Sequence, residues 1–185
     1  MTYYGGKELA ASFRTVRGNT LKIAEEIPED KYDFKPANES RTIGKTLTHI
    51  ALGSGFQYHI QSNKVSDLKT VNFPELMQGV MAEEAKTRSK AETIALLKAE
   101  GDKFASFLEG LPESFLAESV TMPPGMEPPA KSRFEMLLGA KEHEMHHRAQ
   151  LMTAQRMIGQ VPHLTRQMQE RMAAMAAPSA ATAQA

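Results

Sequence analysis

The chain of 185 residues contains no cysteine. Disulfides and thiolate metal sites are therefore excluded. It also lacks net charge, since 22 Lys and Arg balance 22 Asp and Glu. That removes any overall electrostatic case for nucleic acid as a partner. Long apolar runs are missing, and none approaches the roughly 20 residues that a membrane span requires. The first residues, "MTYYGGKELAASFRTVRG", show no basic segment followed by an apolar one, so no secretory signal is expected. A cytoplasmic protein is the expectation. Strand patterns are scarce too: "ESVTM", residues 118–122, is the best candidate, and it is short. The length suits one ordinary domain with a core of its own.

What the chain does contain is helix periodicity. Gly5 to Ile27 sets Leu9, Phe13, Val16, Leu21 and Ile23 among charges, with Pro28 behind them, and predicts a first helix. A second helix is expected from Ser40 or Thr42 to Ser62, carrying Ile43, Leu47, Ile50, Phe56 and Ile60. Its glycines, Gly44, Gly53 and Gly55, disfavour helix by propensity and so point to close packing or a kink. Residues 63–88 read as a long connection with a short helix around "FPELMQGVM". A third long helix opens at a capping box, Ser89 with Glu92, and ends near Gly110. "VTMPPGMEPPAK", with its four prolines, cannot be helix. The last long helix opens at a second capping box, Ser132 with Glu135, and runs to Ile158, where Gly159 stops it.

Four long helices with two long connections predict an all-α four-helix bundle with crossover connections. Residues 1–163 are expected to form this domain. Residues 164–185 are expected to add a short helix, Leu164 to Ala177, and a disordered tail, "APSAATAQA".

Residues 140–150, "AKEHEMHHRAQ", place three of the six histidines within five positions. At about 100° per residue, with His143 at zero, Met136 and Ala154 fall at about 20°, Ala140 and Ile158 at about 60°, and Leu151 at about 80°. His147 falls at about 40°, the centre of that stripe, whereas His146 at about 300° and Glu144 at about 100° lie towards its edges. A single buried histidine is more often a hydrogen-bonded core residue than a ligand. Two at i,i+4 on one buried face each need partners for two ring nitrogens, and a shared ion serves both. The third ligand has three candidates. His49 lies on a packed face of the second helix beside Gly53, Phe56 and Ile60; His59 lies near that helix's end; His163 follows Pro162 in a loop expected at the surface. Three neutral imidazoles leave a divalent ion cationic and coordinatively open, which suits Lewis-acid chemistry.

The same residues spell H-E-x-x-H, in which Glu144 would be the general base of a zinc protease. The extended metzincin pattern fails, because Gln150 and Thr153 stand where Gly and His belong. Proteases of this kind also bind peptide along a strand, and none is evident. A di-iron bundle needs two E-x-x-H copies, and the second helix offers none to match Glu144 and His147.

Two segments resemble the DinB/YfiT-like family. "IPEDKYDFKPANESRTIGKTLTHIA" is similar to that family's first-to-second-helix segment, and "EHEMHHRAQLMTAQRMIGQVP" to its final core helix, usually marked H-x-x-x-H-R-G-Q. Ala149 stands where the family usually has Gly; Arg148 and Gln150 match. The resemblance implies a four-helix bundle and a metal site of three histidines, one from the second helix and two from the last. Here those are His49, His143 and His147. It further implies a divalent ion, zinc or nickel, and a homodimer, for which the twelve methionines offer adaptable contacts. Characterised branches resemble S-transferases and isomerases that use a low-molecular-weight thiol. The expected function is thiol-dependent transfer or detoxification of small molecules. The alternatives are metal-dependent hydrolysis and a stress-associated binding protein with a structural metal. Glu144, Gln150 and Arg148 are the candidates for catalytic roles beside the ligands.

Overall fold

A computed structural model describes residues 4–176. Its long helices are α1 (Gly6–Glu26), α2 (Ile43–Ser62), α4 (Lys90–Glu109) and α6 (Arg133–Met157). Between them lie α3 (Phe73–Ala85) and the short α5 (Glu113–Leu116), and α7 (His163–Ala176) follows. The expected boundaries hold to within a residue or two at the long helices, because the caps are local chemistry. Thr42 Oγ1 accepts from the Lys45 amide to start α2, and Ser89 with Glu92 closes both halves of a capping box at α4. Gly159, at φ +83°, ends α6 in the left-handed region that favours glycine. The second expected capping box is only half made. Ser132 caps the Glu135 amide, but the Glu135 carboxylate turns to Lys131 Nζ at 3.1 Å.

One expectation needs extending and one correcting. The strand candidate "ESVTM" is a strand, and its partner lies at the end of the proline-rich segment, where none was expected. Ser119–Thr121 (β1) and Ala130–Ser132 (β2) pair antiparallel, with Val120 opposite Lys131. Ala130–Ser132 leaves too little alternation to be read from sequence, and Val120 is buried because the hairpin covers Ile60, Leu68 and Met136. His163 is not a surface loop residue. It opens α7, is 1% exposed, and sets its Nε2 3.2 Å from Asn19 Oδ1 of α1. The expected disorder of the Ala-rich tail concerns residues outside the described range.

The bundle closes as a ring in which α1 packs on α4 and α6, and α2 packs on the same two helices. Helices α1 and α2, adjacent in sequence, thus lie diagonally opposite, and residues 27–42 carry the chain across. Two apolar clusters fill the interior. One gathers Ile23, Ile27, Leu47, Ile50, Leu97 and Leu151. The other gathers Leu9, Phe13, Phe104, Leu108, Leu137 and Ala140. Between them along α1, α4 and α6 sit Arg17, Gly101 and Glu144. Arg17 Nε lies 3.0 and 3.1 Å from the two oxygens of Glu144, Nη1 donates to Leu97 O at 2.6 Å, and Nη2 donates to Ile50 O at 3.2 Å. One guanidinium therefore touches all four core helices. No helix among the described residues is long and apolar enough to cross a membrane.

Candidate metal centre

His49 comes from α2, and His143 and His147 from successive turns of α6, across the seam where these helices pack. His49 Nε2 lies 3.0 Å from His143 Nε2. Ring centroids are 4.6 Å apart for His49 and His147, and 4.6 Å for His143 and His147. One ligand atom from each lies within 4.8 Å of the others. Nitrogens held about 2.0–2.1 Å from one tetrahedral ion sit about 3.3 Å apart. The His49–His143 pair is already near that spacing, and the third nitrogen is within a small closing-in of it. The donor set, three imidazoles with no thiolate or bound carboxylate, fits a divalent transition-metal ion.

Each ring is held from behind. His147 Nδ1 lies 2.8 Å from Gln150 Oε1, so an Nδ1–H donated there leaves the other nitrogen free to ligate. The Gln150 amide nitrogen in turn lies 3.1 Å from Nε2 of His146, which is exposed. His49 Nδ1 lies 2.5 Å from Glu84 Oε1. His143 packs against α2 at Gly53, where a Cβ would come within 2.7 and 2.8 Å of its Cε1 and Nδ1. The glycine that weakens the second helix by propensity is thus the gap that admits the ring. His59, exposed, and His163, paired with Asn19, stand outside the group.

The helical wheel located the face correctly but misplaced its centre. Arg133, Leu137 and Gln155, all buried, fall at about 80°, 120° and 120° and pull the stripe towards Glu144 at about 100°. Glu144, expected at an edge, is 2% exposed, while His143 and His147 border the buried stripe and are only partly exposed. Both Glu144 oxygens are bound by Arg17, so this carboxylate is not a base waiting beside the histidines, and the protease reading of H-E-x-x-H fails on that ground. Arg148 is half-buried with its Nη1 unpartnered among the described residues. Neither residue lines the cavities that flank the histidines; Gln150 does. One cavity, about 640 Å³, reaches His147 and Gln150 past Arg41 and Ile43. The other, about 510 Å³, reaches His49 and His143 between Phe56 of α2 and Val80 and Met81 of α3. Arg41 borders both.

Burial, then the neighbouring His147 and His49, pushes His143 down from 6.5 to about 4. Burial also lowers His147. Both rings are thereby kept neutral, as ligands must be. The sign of the stability effect follows. Below about pH 6.5 the unfolded chain takes up a proton on His143 that the folded chain refuses until about pH 4. The metal-free protein is therefore expected to lose stability as pH falls through this window. Urea titrations in chelator at several pH values should show it, with a shallower slope for His143→Gln; identical slopes would place His143 in ordinary solvent.

Residues 12–151 match the family model of the DinB superfamily. The chain belongs to that superfamily. A curated relative, YjoA of Bacillus subtilis, an uncharacterized protein, is 24% identical over 152 residues, covering 82% of this chain and 90% of YjoA. The crystal structure of YjoA, a DinB-like protein, superposes with a TM-score of 0.62 at 21% identity, covering 83% of this chain and 94% of YjoA. YfiT of Bacillus subtilis, described as a probable metal-dependent hydrolase with an unusual four-helix bundle topology, superposes with a TM-score of 0.65 at 13% identity, covering 86% of this chain and 91% of YfiT. These likenesses show that the chain shares the fold of these proteins.

Proposed function

We propose that this DinB protein is a metal-dependent enzyme acting on small molecules. In this reading His49, His143 and His147 hold one divalent ion, zinc or nickel, and the reaction is transfer involving a low-molecular-weight thiol. One observation carries it: three imidazoles converge between two cavities, and the converging group has no fourth member among the described residues. A structural ion is closed by a fourth protein ligand, whereas a catalytic one keeps an open position. The open flanks favour an enzyme over a stress-associated binding protein.

When bound, the ion supplies Lewis acidity that makes a thiol or water nucleophilic near neutral pH. The chain's own residues do the rest. Gln150 orients His147. Arg41 presents a cation to both cavities, suited to an anionic substituent on a substrate. Phe56, Val80 and Met81 offer its body an apolar wall. Of the nearby carboxylates, Glu144 is engaged by Arg17 and Glu84 by His49, whereas exposed Glu39 lines the cavity that reaches His147. Bound water and bound thiol both lose their proton on the ion, but soft thiolate completes a zinc-type site well, which favours thiol transfer. Hydrolysis is the second reading, favoured by the likeness to YfiT.

Cobalt loading separates them. Titrating small thiols into the cobalt protein should give a sulfur-to-metal charge-transfer band and release a proton. Turnover of esters or amides without thiol, with no such band, would replace transfer by hydrolysis. A four-coordinate site of protein ligands alone, with neither activity, would end the enzyme reading.

A further inference from the structure

Helix α3 contributes no buried residue, yet one of its side chains points at the candidate metal centre. Glu84 Oε1 lies 2.5 Å from His49 Nδ1, and Glu84 Oε2 lies 3.9 Å from Arg41 Nη2. The carboxylate is held in that place by its own backbone. Lys45 of α2, one turn before His49, donates from Nζ to the carbonyls of Glu84, Ala85 and Lys86 at 2.7, 2.9 and 3.0 Å. These are the otherwise unpaired carbonyls at the end of α3, so a cation there is doubly suited. The clamp brings Glu84 over His49 with little freedom to leave.

We infer that Glu84 is the positioning residue of the metal centre. It accepts the Nδ1–H of His49, selects the tautomer whose Nε2 faces His143, and makes that nitrogen a stronger donor to the ion. A carboxylate behind a ligating imidazole acts in this way in many metal sites, and its loss weakens binding about 10- to 100-fold. The inference rests on the three-histidine reading and extends it to a residue on a different helix. It also joins two parts of the site. Val80 and Met81 of α3 wall the cavity that reaches His49 and His143, so the helix bearing the substrate-side wall also bears the group that steadies a ligand.

The alternative is that Glu84 merely fastens α3 to α2. Metal affinity separates the two, because a fastening role would lower the melting temperature of metal-free protein without changing affinity. Zinc affinity is measured by chelator competition on the full chain, wild type against Glu84→Ala, Glu84→Gln and, as a control on the neighbouring carboxylate, which pairs with Lys86 and Arg88 and with no histidine, Glu83→Ala. The expected order is wild type equal to Glu83→Ala, then Glu84→Gln, which keeps an acceptor oxygen, then Glu84→Ala about 10- to 100-fold weaker. The Gln variant preserves the shape of the side chain and keeps the test open if the Ala variant folds poorly. Equal affinity in wild type, Glu84→Gln and Glu84→Ala overturns the inference while leaving the metal centre in place. A wild type that takes up no stoichiometric ion overturns the three-histidine reading and, with it, this one.

Discussion

Arg17→Ala is expected to destabilise the bundle by about 3–5 kcal/mol, the cost of leaving a buried charge without its partner. Glu144 is 2% exposed, and Arg17 supplies both of its ion-pair contacts. The same guanidinium satisfies carbonyls of Leu97 and Ile50, so its loss opens the layer between the two apolar clusters on all four helices. Against a typical stability of about 5–15 kcal/mol this is a large share. For a chain of this size it amounts to a fall of about 6–20 °C in melting temperature. Denaturant titration measures it directly. The double variant Arg17→Met with Glu144→Leu should recover most of the loss, since the cost lies in the orphaned carboxylate rather than in the absent pair. A single variant within 1 kcal/mol of wild type would show that water reaches Glu144 and that the layer is not closed. Gly101 gives the layer its room: a Cβ there would lie 2.9 Å from Arg17 Cγ and Nη1.

The second large effect concerns metal content. His49→Ala, His143→Ala and His147→Ala are each expected to abolish stoichiometric metal, and His146→Ala and His59→Ala to retain it. The exposed His146 ring faces Gln150, and His59 lies outside the converging group. Elemental analysis after gel filtration reads the result. Equal loss in His146→Ala would move the ligand set to i,i+3 on α6. Retention in His49→Ala with loss in His163→Ala would take the site away from α2 altogether. Gly53→Ala is the sharper companion, because it alters no ligand. The added methyl would meet the His143 ring within 2.8 Å, closer than packed atoms come, so the ring must move and metal affinity must fall. Full affinity in that variant would show that His143 does not rest against α2.

The sequence by itself determined the four long helices and most of their ends, because periodicity, caps and a left-handed stop are properties of neighbouring residues. It also determined that His143 and His147 share one face, since four residues is about one helical turn. The identity of the third histidine came from likeness to a family. The wheel put His49 on a packed face and His59 near the helix end, but that the packed face meets α6 at His143 shows only once α2 is laid against α6. Glu84 carried no signal at all: it lies beyond the short helix expected around "FPELMQGVM", and only the Lys45 clamp brings it to His49. Glu144 was misread because a wheel drawn on apolar residues ignores buried polar ones, and Arg17, its partner 127 positions away, is invisible from α6. The tertiary structure decided these things. Pairings of distant charges and imidazoles depend on how whole helices pack, and helix packing is set by the summed shape of many side chains rather than by any one stretch.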